Sequence, residues 1–192
     1  INESPESFLI RDKGYSIISC SPETLLLKKG DLIKTKPIAG TLRKTKKINH
    51  NKALAFFRRN EKETKEHNMI VDMERNDLSK ICKTGSVKID KLKTVEEYRD
   101  LFHYVTTIKG VLKNKITNHE IISSLMPGGS VIGCPKISTI QLLNQKEKSD
   151  RNIYTGSFGI IHSNGDMRFN IMIRTLLNFK NAIELSVASG VI

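Results

Sequence analysis

Short stretches in which apolar and polar residues alternate dominate the N-terminal part of the chain, as is typical of antiparallel strands. Residues 8–11 and 15–19 flank Asp12-Lys13-Gly14, and residues 24–28 and 31–35 flank Lys29-Gly30. Turn residues between two such runs predict a β-hairpin, so we expect two hairpins here.

Two short interruptions lie beside these hairpins. Ser21-Pro22-Glu23 separates them, and Pro37-Ile38-Ala39-Gly40-Thr41 follows the second one. Both lie at predicted strand ends, where a scaffold can hold functional side chains. An ordinary turn has the same composition, so both interpretations stay open at this point.

The middle of the chain changes to helical periodicity. Apolar residues at helical intervals predict helices over residues 51–80, 120–125 and 135–144. A further helix is predicted around His103, with Leu101, Val105 and Ile108 on its inward face. Residues 86–89 should form a short strand between the first two helices.

The C-terminal third is predicted to be β-structure. Residues 153–163 and 167–177 flank Asn164-Gly165-Asp166, and Asn-Gly is a strong hairpin signal. Residues 182–192 should form a third strand. Arg174 lies within an apolar strand, and a buried arginine requires an anionic partner such as a carboxylate.

A glycine-rich loop at residues 126–136 separates two apolar-periodic runs and contains Gly128, Gly129 and Gly133. Glycine lets a ligand approach the backbone, and a helix N-terminus after Pro135 favours an anion. The loop is not a nucleotide P-loop, because Cys134 stands where that motif has lysine. A helix–helix connection without a ligand is the alternative.

Glu63 and Glu66 lie three residues apart, so both carboxylates should lie on one helix face, with His67 beside them. Such a pair can ligate Mg²⁺, which takes one or two protein carboxylates and completes its shell with other oxygens. An exposed acidic patch is the alternative interpretation.

The chain has 192 residues and a formal charge of +12, which raises nucleic acid as a partner. The densest basic run, residues 42–47, has no aromatic residues for stacking on bases, so a solvated basic surface is the better interpretation. No apolar run approaches the roughly 20 residues that span a bilayer, so we expect no membrane association. Three widely spaced cysteines favour a reducing cytoplasm.

These motifs occur in an order that resembles one family. The motifs are Ser21-Pro22-Glu23, Pro37-Ile38-Ala39-Gly40-Thr41, the segment from Glu66 to Asp77, His103, the loop from Pro127 to Lys136, the segment from Tyr154 to Gly159, and Ile173-Arg174-Thr175. Together they resemble the chorismate-utilising enzymes, and the match covers nearly the whole chain. The aminating members, aminodeoxychorismate synthase component I and anthranilate synthase component I, are the most similar.

The resemblance implies an α+β fold in which antiparallel sheets pack on each other with helices outside. It implies Mg²⁺-dependent amination of chorismate to aminodeoxychorismate in para-aminobenzoate and folate biosynthesis. A glutamine amidotransferase subunit or domain would supply the ammonia. Residues 1–192 would be part of the chorismate-binding catalytic domain.

The resemblance also implies roles for particular residues. Glu66 would ligate Mg²⁺, and Glu63 would assist it indirectly, by supporting its ligands or through a water molecule. Glu23 would be the general acid or base at the hydroxyl leaving group, and His103 would help to polarise that group. The remaining residues would bind substrate: Thr41, Gly129, Ser130, Tyr154, Arg174, Ala188, Ser189 and Gly190.

Some residues depart from the family pattern. Ala39 stands where many para-aminating enzymes have a nucleophilic lysine, and alanine is usual in anthranilate synthases. The loop Pro127-Gly128-Gly129-Ser130 resembles the para-aminating version, and we favour that activity. Ala188-Ser189-Gly190 and Ile132 are further departures that could narrow the pocket.

Three alternatives remain: anthranilate synthase component I, isochorismate or salicylate synthase, and a basic nucleic-acid-binding module. The segment Asp72-Met73-Glu74-Arg75-Asn76-Asp77 is of the aminating type and argues against the second. The resemblance also implies a second Mg²⁺-binding glutamate beyond Ile192, so we expect residues 1–192 alone to be inactive.

Overall fold

Eleven strands and five helices make up residues 4–188, the part of the chain that the computed structural model describes. The strands are β1 (Glu6–Asp12), β2 (Tyr15–Ser21), β3 (Thr24–Lys29), β4 (Leu32–Lys36), β5 (Ile38–Arg43), β6 (Lys88–Glu97), β7 (Leu101–Val111), β8 (Gly159–Ile161), β9 (Met167–Asn170), β10 (Thr175–Phe179) and β11 (Ala182–Leu185). The helices are α1 (His50–Arg59), α2 (Glu61–Ile81), α3 (Asn118–Leu125), α4 (Gly129–Ile132) and α5 (Lys136–Lys146).

The strands form two antiparallel sheets. The smaller sheet has the order β1-β2-β10-β11. The larger sheet has seven strands, in the order β5-β7-β4-β3-β9-β8 with β6 added on β7. The chain passes from one sheet to the other twice, between β2 and β3 and again between β9 and β10. This arrangement confirms the predicted α+β class with antiparallel sheets.

All three predicted hairpins are confirmed. β1 pairs with β2 and β3 with β4, and the turns between them contain Gly14 and Gly30, both with positive φ. β8 pairs with β9 across Asn164-Gly165, where Gly165 has φ +83°. The prediction of one strand over residues 167–177 is wrong, because the chain leaves the large sheet after Asn170 and enters the small sheet at Thr175.

The prediction of a helix around His103 is wrong, since Leu101–Val111 is the strand β7. This strand pairs with β4, β5 and β6 and is buried at every position from Phe102 to Ile108. Burial on both faces removes the alternation that marks a strand, so a continuous apolar run also matched helical spacing. The β-branched series Val105-Thr106-Thr107-Ile108 was the local signal for a strand.

The predicted helices over residues 51–80, 120–125 and 135–144 are confirmed as α1 with α2, α3 and α5. Asn60 separates α1 from α2, and its side chain accepts a hydrogen bond from the backbone N–H of Glu63. Thr117 and Glu120 form a capping box at the start of α3. α5 begins after Pro135 and has no buried residue.

Helices α1 and α2 pack on the large sheet through alternate side chains of β7. Phe102 and Tyr104 join the cluster around Phe57 of α1, and the rings of Phe57 and Tyr104 stack with centroids 4.9 Å apart. Ile108 joins the main apolar cluster, which includes Leu78 of α2. Since side chains alternate along a strand, His103 points to the other face.

Three glycines allow α2 and the glycine-rich loop to approach their neighbours closely. A Cβ on Gly40, which has φ +110°, would lie 2.9 Å from Glu63 Oε2 of α2. A Cβ on Gly129 would lie 2.2 Å from Met73 Cε, and one on Gly128 would lie 2.7 Å from Ile171 Cδ1. The loop is therefore held between α2 and the sheet.

The structure bears on three expectations drawn from the sequence: its basic charge, its cysteines and its lack of a long apolar run. Asp90 forms ion pairs with both Lys34 and Lys109, so part of the basic charge is neutralised at the surface. The cysteines Cys20, Cys82 and Cys134 are all free. Between residues 4 and 188, no helix combines the length and apolar character needed to cross a bilayer.

We expect Gly129→Ala to destabilise the full-length protein by roughly 1–3 kcal/mol, because the new methyl group overlaps Met73 in a packed core. Urea denaturation measures the free energy of unfolding. In a Met73→Ala background the same change should cost less, since the overlapping atoms are gone. An equal cost in both backgrounds would show that this contact does not limit the packing.

Candidate active site

Glu23 lies where the chain first passes from the small sheet to the large one. Its side chain is only 4% exposed, and its backbone carbonyl accepts a hydrogen bond of 3.1 Å from the N–H of Ile171. Burial raises the pKa of the Glu23 carboxyl to about 7, although nearby Ser130, Ile38 and Arg174 lower it. Glu23 therefore exchanges a proton near neutral pH, as a general acid or base requires.

Arg174 lies at the second passage between the sheets, beside the first. Its backbone carbonyl accepts a hydrogen bond of 3.1 Å from the N–H of Cys20. The prediction that Arg174 is buried in a strand is wrong: it is exposed, with φ +51°, just before β10 begins. Its positive charge acts on both Glu23 and His103, so the three side chains share one region.

His103 lies on β7 directly opposite Thr41 of β5. Its Nδ1 atom is 3.0 Å from Thr41 Oγ1, and its ring makes an edge contact with Tyr98. Burial and then the charge of Arg174 lower the pKa of His103 to about 4, against the opposing effects of Gly40 and Glu96. The imidazole is therefore neutral at physiological pH and can polarise a group through a hydrogen bond.

Glu63 and Glu66 lie together on α2, as predicted, and Glu63 contacts Gly40 one residue before Thr41. Burial and then the negative charge of Glu66 raise the pKa of Glu63. A cation would relieve this repulsion, and carboxylate oxygens are the ligands that Mg²⁺ prefers, so the pair fits the ion. Within residues 4–188, no group of three or more His, Cys, Asp or Glu side chains is placed to hold a metal.

His67, next to this pair in sequence, has a different environment. It is fully buried between α2 and β7, and its Nε2 atom lies 2.5 Å from Thr106 Oγ1. Burial, with a smaller effect of Lys93, lowers the pKa of His67 to about 4. It faces the sheet and links α2 to β7, which is a structural role.

The remaining predicted substrate-binding residues are more widely spread. Gly129 and Ser130 begin the short helix α4, with Gly129 buried against Met73 and Ser130 beside Glu23. Tyr154 lines a small depression together with Thr175, the residue that follows Arg174.

The C-terminal strand is shorter than predicted. β11 ends at Leu185, and Ala188 is exposed and lies outside the strand. Ser189 and Gly190 lie outside the described residues. The predicted roles of these three residues stay predictions.

Sequence reasoning did not select Glu74 or the ion pair between Lys136 and Asp77. Glu74 is 4% exposed, and burial raises its pKa to about 8, with a further contribution from the negative charge of Glu23. Lys136 Nζ lies 2.5 Å from Asp77 Oδ2, which ties α5 to α2. A charged residue on the buried face of an amphipathic helix was the available signal, but helix capping explained it equally well.

Comparison with known proteins gives a consistent result. A family described as chorismate binding enzymes matches residues 1–192. The chain is 37% identical over 193 residues to aminodeoxychorismate synthase component 1 of Bacillus subtilis, and 36% identical over 193 residues to an anthranilate synthase component I-like protein of Synechocystis. Both alignments cover 100% of this chain but only 41% and 40% of those relatives.

Solved structures agree. Anthranilate synthase component I from Streptococcus pneumoniae superposes with a TM-score of 0.81 and 35% identity, over 92% of this chain and 39% of that one. A protein described as a 2,3-dihydroxybenzoate-specific isochorismate synthase from Bacillus anthracis superposes with a TM-score of 0.80 over 93% of this chain and 49% of that one. At 24% identity, this similarity shows the fold alone. The chain belongs to the family of chorismate binding enzymes.

Proposed function

We propose that the protein catalyses the Mg²⁺-dependent amination of chorismate to aminodeoxychorismate, with ammonia from a glutamine amidotransferase partner. One observation carries the proposal: a buried carboxyl that titrates near neutral pH, Glu23, lies beside an exposed guanidinium and a neutral imidazole. The relatives named above support the family, and the choice of product is part of the proposal.

Glu23 would act on the hydroxyl group that leaves the ring. With a pKa of about 7, a substantial fraction of the carboxyl is protonated at neutral pH, and so it can donate a proton to that group. A carboxyl at its ordinary pKa of 4.5 would be almost fully ionised there. General acid catalysis of this kind typically contributes ~10²–10⁴-fold to the rate.

His103 and Arg174 would orient the substrate around that proton transfer. A neutral imidazole donates a hydrogen bond without placing another positive charge beside Arg174. Thr41 restrains the ring of His103 through its hydrogen bond to Nδ1. The exposed guanidinium of Arg174 is free to bind the enolpyruvyl carboxylate through two parallel hydrogen bonds, with Tyr154 nearby.

Glu66, assisted by Glu63, would hold Mg²⁺. When bound, the ion would supply positive charge that offsets the ring carboxylate of chorismate. The residues of this chain would fix its position relative to the ring, because Glu63 packs against Gly40 and Thr41 follows in the same strand.

Anthranilate synthase is the second candidate, because Ala39 is the residue usual in that activity. Ala39 is 4% exposed and adjoins Gly40, so a larger side chain at this position would have little room. Ser130 beside Glu23 favours the para-aminating assignment. Isochorismate or salicylate synthesis would require water in place of ammonia.

Product analysis of the full-length protein tests the proposed function. With chorismate, Mg²⁺ and ammonium, we expect aminodeoxychorismate with no release of pyruvate. Anthranilate together with pyruvate would establish the second candidate. Isochorismate formed without ammonium, or no conversion of chorismate, would contradict both aminating assignments.

We expect Glu66→Gln to abolish Mg²⁺-dependent turnover and to weaken Mg²⁺ binding, because an amide cannot replace the charge of a carboxylate ligand. Isothermal titration with Mg²⁺ measures the binding. The control is Glu61→Gln, since Glu61 is 88% exposed on the same helix and pairs only with Lys65. Wild-type turnover and affinity in Glu66→Gln would remove Glu66 from the metal site.

Arg174→Ala should weaken the apparent affinity for chorismate by roughly 2–5 kcal/mol, because a substrate carboxylate loses its charged partner. The KM for chorismate, or direct titration in the absence of ammonium, measures this loss. Arg75→Ala is the matched control, because Arg75 is an exposed arginine on α2 that pairs with Asp72. An unchanged affinity in Arg174→Ala would assign Arg174 a role in joining the two sheets.

A further inference from the structure

Among residues 4–188, four buried oxygen atoms around Glu23 lack a hydrogen-bond partner at ordinary distance, although Ser130 and Thr35 lie near enough to the two carboxyl groups to lower their pKa values. They are Glu23 Oε1, Ser130 Oγ, Thr35 Oγ1 and Glu74 Oε2. Glu23, Glu74 and Thr35 are all less than one tenth exposed. Buried polar groups are normally paired, so several unpartnered oxygen atoms in one region mark a place where a proton, a water molecule or a bound group completes the hydrogen bonding.

The two carboxyl groups come from separate elements, and the negative charge of Glu23 reaches Glu74. Glu23 comes from the passage between β2 and β3, and Glu74 comes from the buried face of α2. Ser130 of α4 lies beside Glu23, and Thr35 of β4 lies beside Glu74. The close contact of Gly129 with Met73 places α4 against α2 next to Glu74.

Few opposite charges face Glu74. Asp77 on its own helix and Glu23 from the strand passage are both acidic. Lys136 of α5 faces it as well, but the ammonium group lies 2.5 Å from Asp77 and is also hydrogen-bonded to the carbonyl of Leu125. Arg174 acts on Glu23 and is not among the groups that affect the pKa of Glu74. Among the described residues, the cation that acts on Glu74 is Lys136, and Glu74 shares it with Asp77.

We propose that Glu74 is a positioning residue for Glu23: the two buried carboxyl groups share protons, so that the pair keeps one proton where Glu23 alone would have lost it. This inference rests on the proposed role of Glu23 in amination. Glu74 itself need not touch the substrate. Its effect is to extend the pH range over which Glu23 is available as an acid.

The physical basis is repulsion between like charges in a region from which water is largely excluded. Two ionised carboxylates repel each other strongly there, so the loss of the first proton makes the loss of the second harder. The negative charge of Glu23 accordingly raises the pKa of Glu74, after burial, to about 8. An amide at position 74 never becomes charged, and Glu23 would then titrate as a single group near its own pKa of about 7.

The first test measures stability and does not depend on any activity. Folding raises the pKa of Glu74 from its ordinary value of 4.5 to about 8, so between these two pH values the unfolded chain has released a proton that the folded protein keeps. The free energy of unfolding therefore falls as pH rises through this range. Glu74→Gln removes this contribution, so its stability should fall less steeply with pH than that of the wild type.

Urea denaturation of the full-length protein at intervals between about pH 5 and about pH 9 measures this slope. Glu74→Leu provides a second variant without the charge, in case the amide disturbs the fold. Asp72→Asn is the control, since Asp72 is exposed on the same helix and pairs with Arg75. A slope in both Glu74 variants equal to that of the wild type would overturn the proposal.

The second test is the pH dependence of kcat for chorismate amination. In Glu74→Gln the decline of kcat at alkaline pH should move to lower pH by as much as about one unit, the interval between the two pKa values. Glu74→Asp retains the carboxyl and should restore part of the range. A uniform loss of activity with an unchanged pH profile would indicate a structural role only and contradict the inference.

The two tests separate the inference from the proposed function. A changed stability slope in a protein that converts no chorismate at any pH would retain Glu74 as a buried carboxyl that keeps its proton near neutral pH and would reject the amination. Amination by the wild type with no change in either profile for Glu74→Gln would retain the function and reject the pair.

Discussion

The close packing of α2 against the large sheet is the constraint on which the rest of the structure depends. Glycine allows close approach at Gly40, where the helix meets β5, and at Gly129, where it meets the loop before α5. Ile108 packs against α2, and Phe57 of the neighbouring α1 stacks on Tyr104 beside it. A methyl group at either glycine would force the neighbouring side chains of the helices to shift.

The same packing gives the side chains their chemistry. Glu23 and Glu74 are carboxyl groups that most proteins keep in water, and burial raises the pKa of both towards neutral pH. His103 is affected in the opposite direction, because burial disfavours its charged form. One physical cause thus yields an acid that holds its proton and an imidazole that has lost its own.

The two passages between the sheets place opposite charges side by side in the candidate active site. Hydrogen bonds join them: the N–H of Ile171 to the carbonyl of Glu23, and the N–H of Cys20 to the carbonyl of Arg174. Each passage carries one charged residue of opposite sign, Glu23 on the first and Arg174 on the second. A strand cannot continue through such a point, and this explains why Arg174 is exposed with positive φ rather than buried in a long strand.

The sequence by itself determined the three hairpins and the long helical segment, because turn residues and helical periodicity are local signals. The order of its motifs indicated the family, and the resemblance to that family implied the α+β class. The sequence also identified Glu23, His103 and the pair Glu63 and Glu66 as candidates. Only the tertiary structure decided that residues 101–111 form the central strand, because burial on both faces hides the alternation. It alone showed that Glu74 lies near Glu23, since residues 51 positions apart meet only when α2 packs on the sheet.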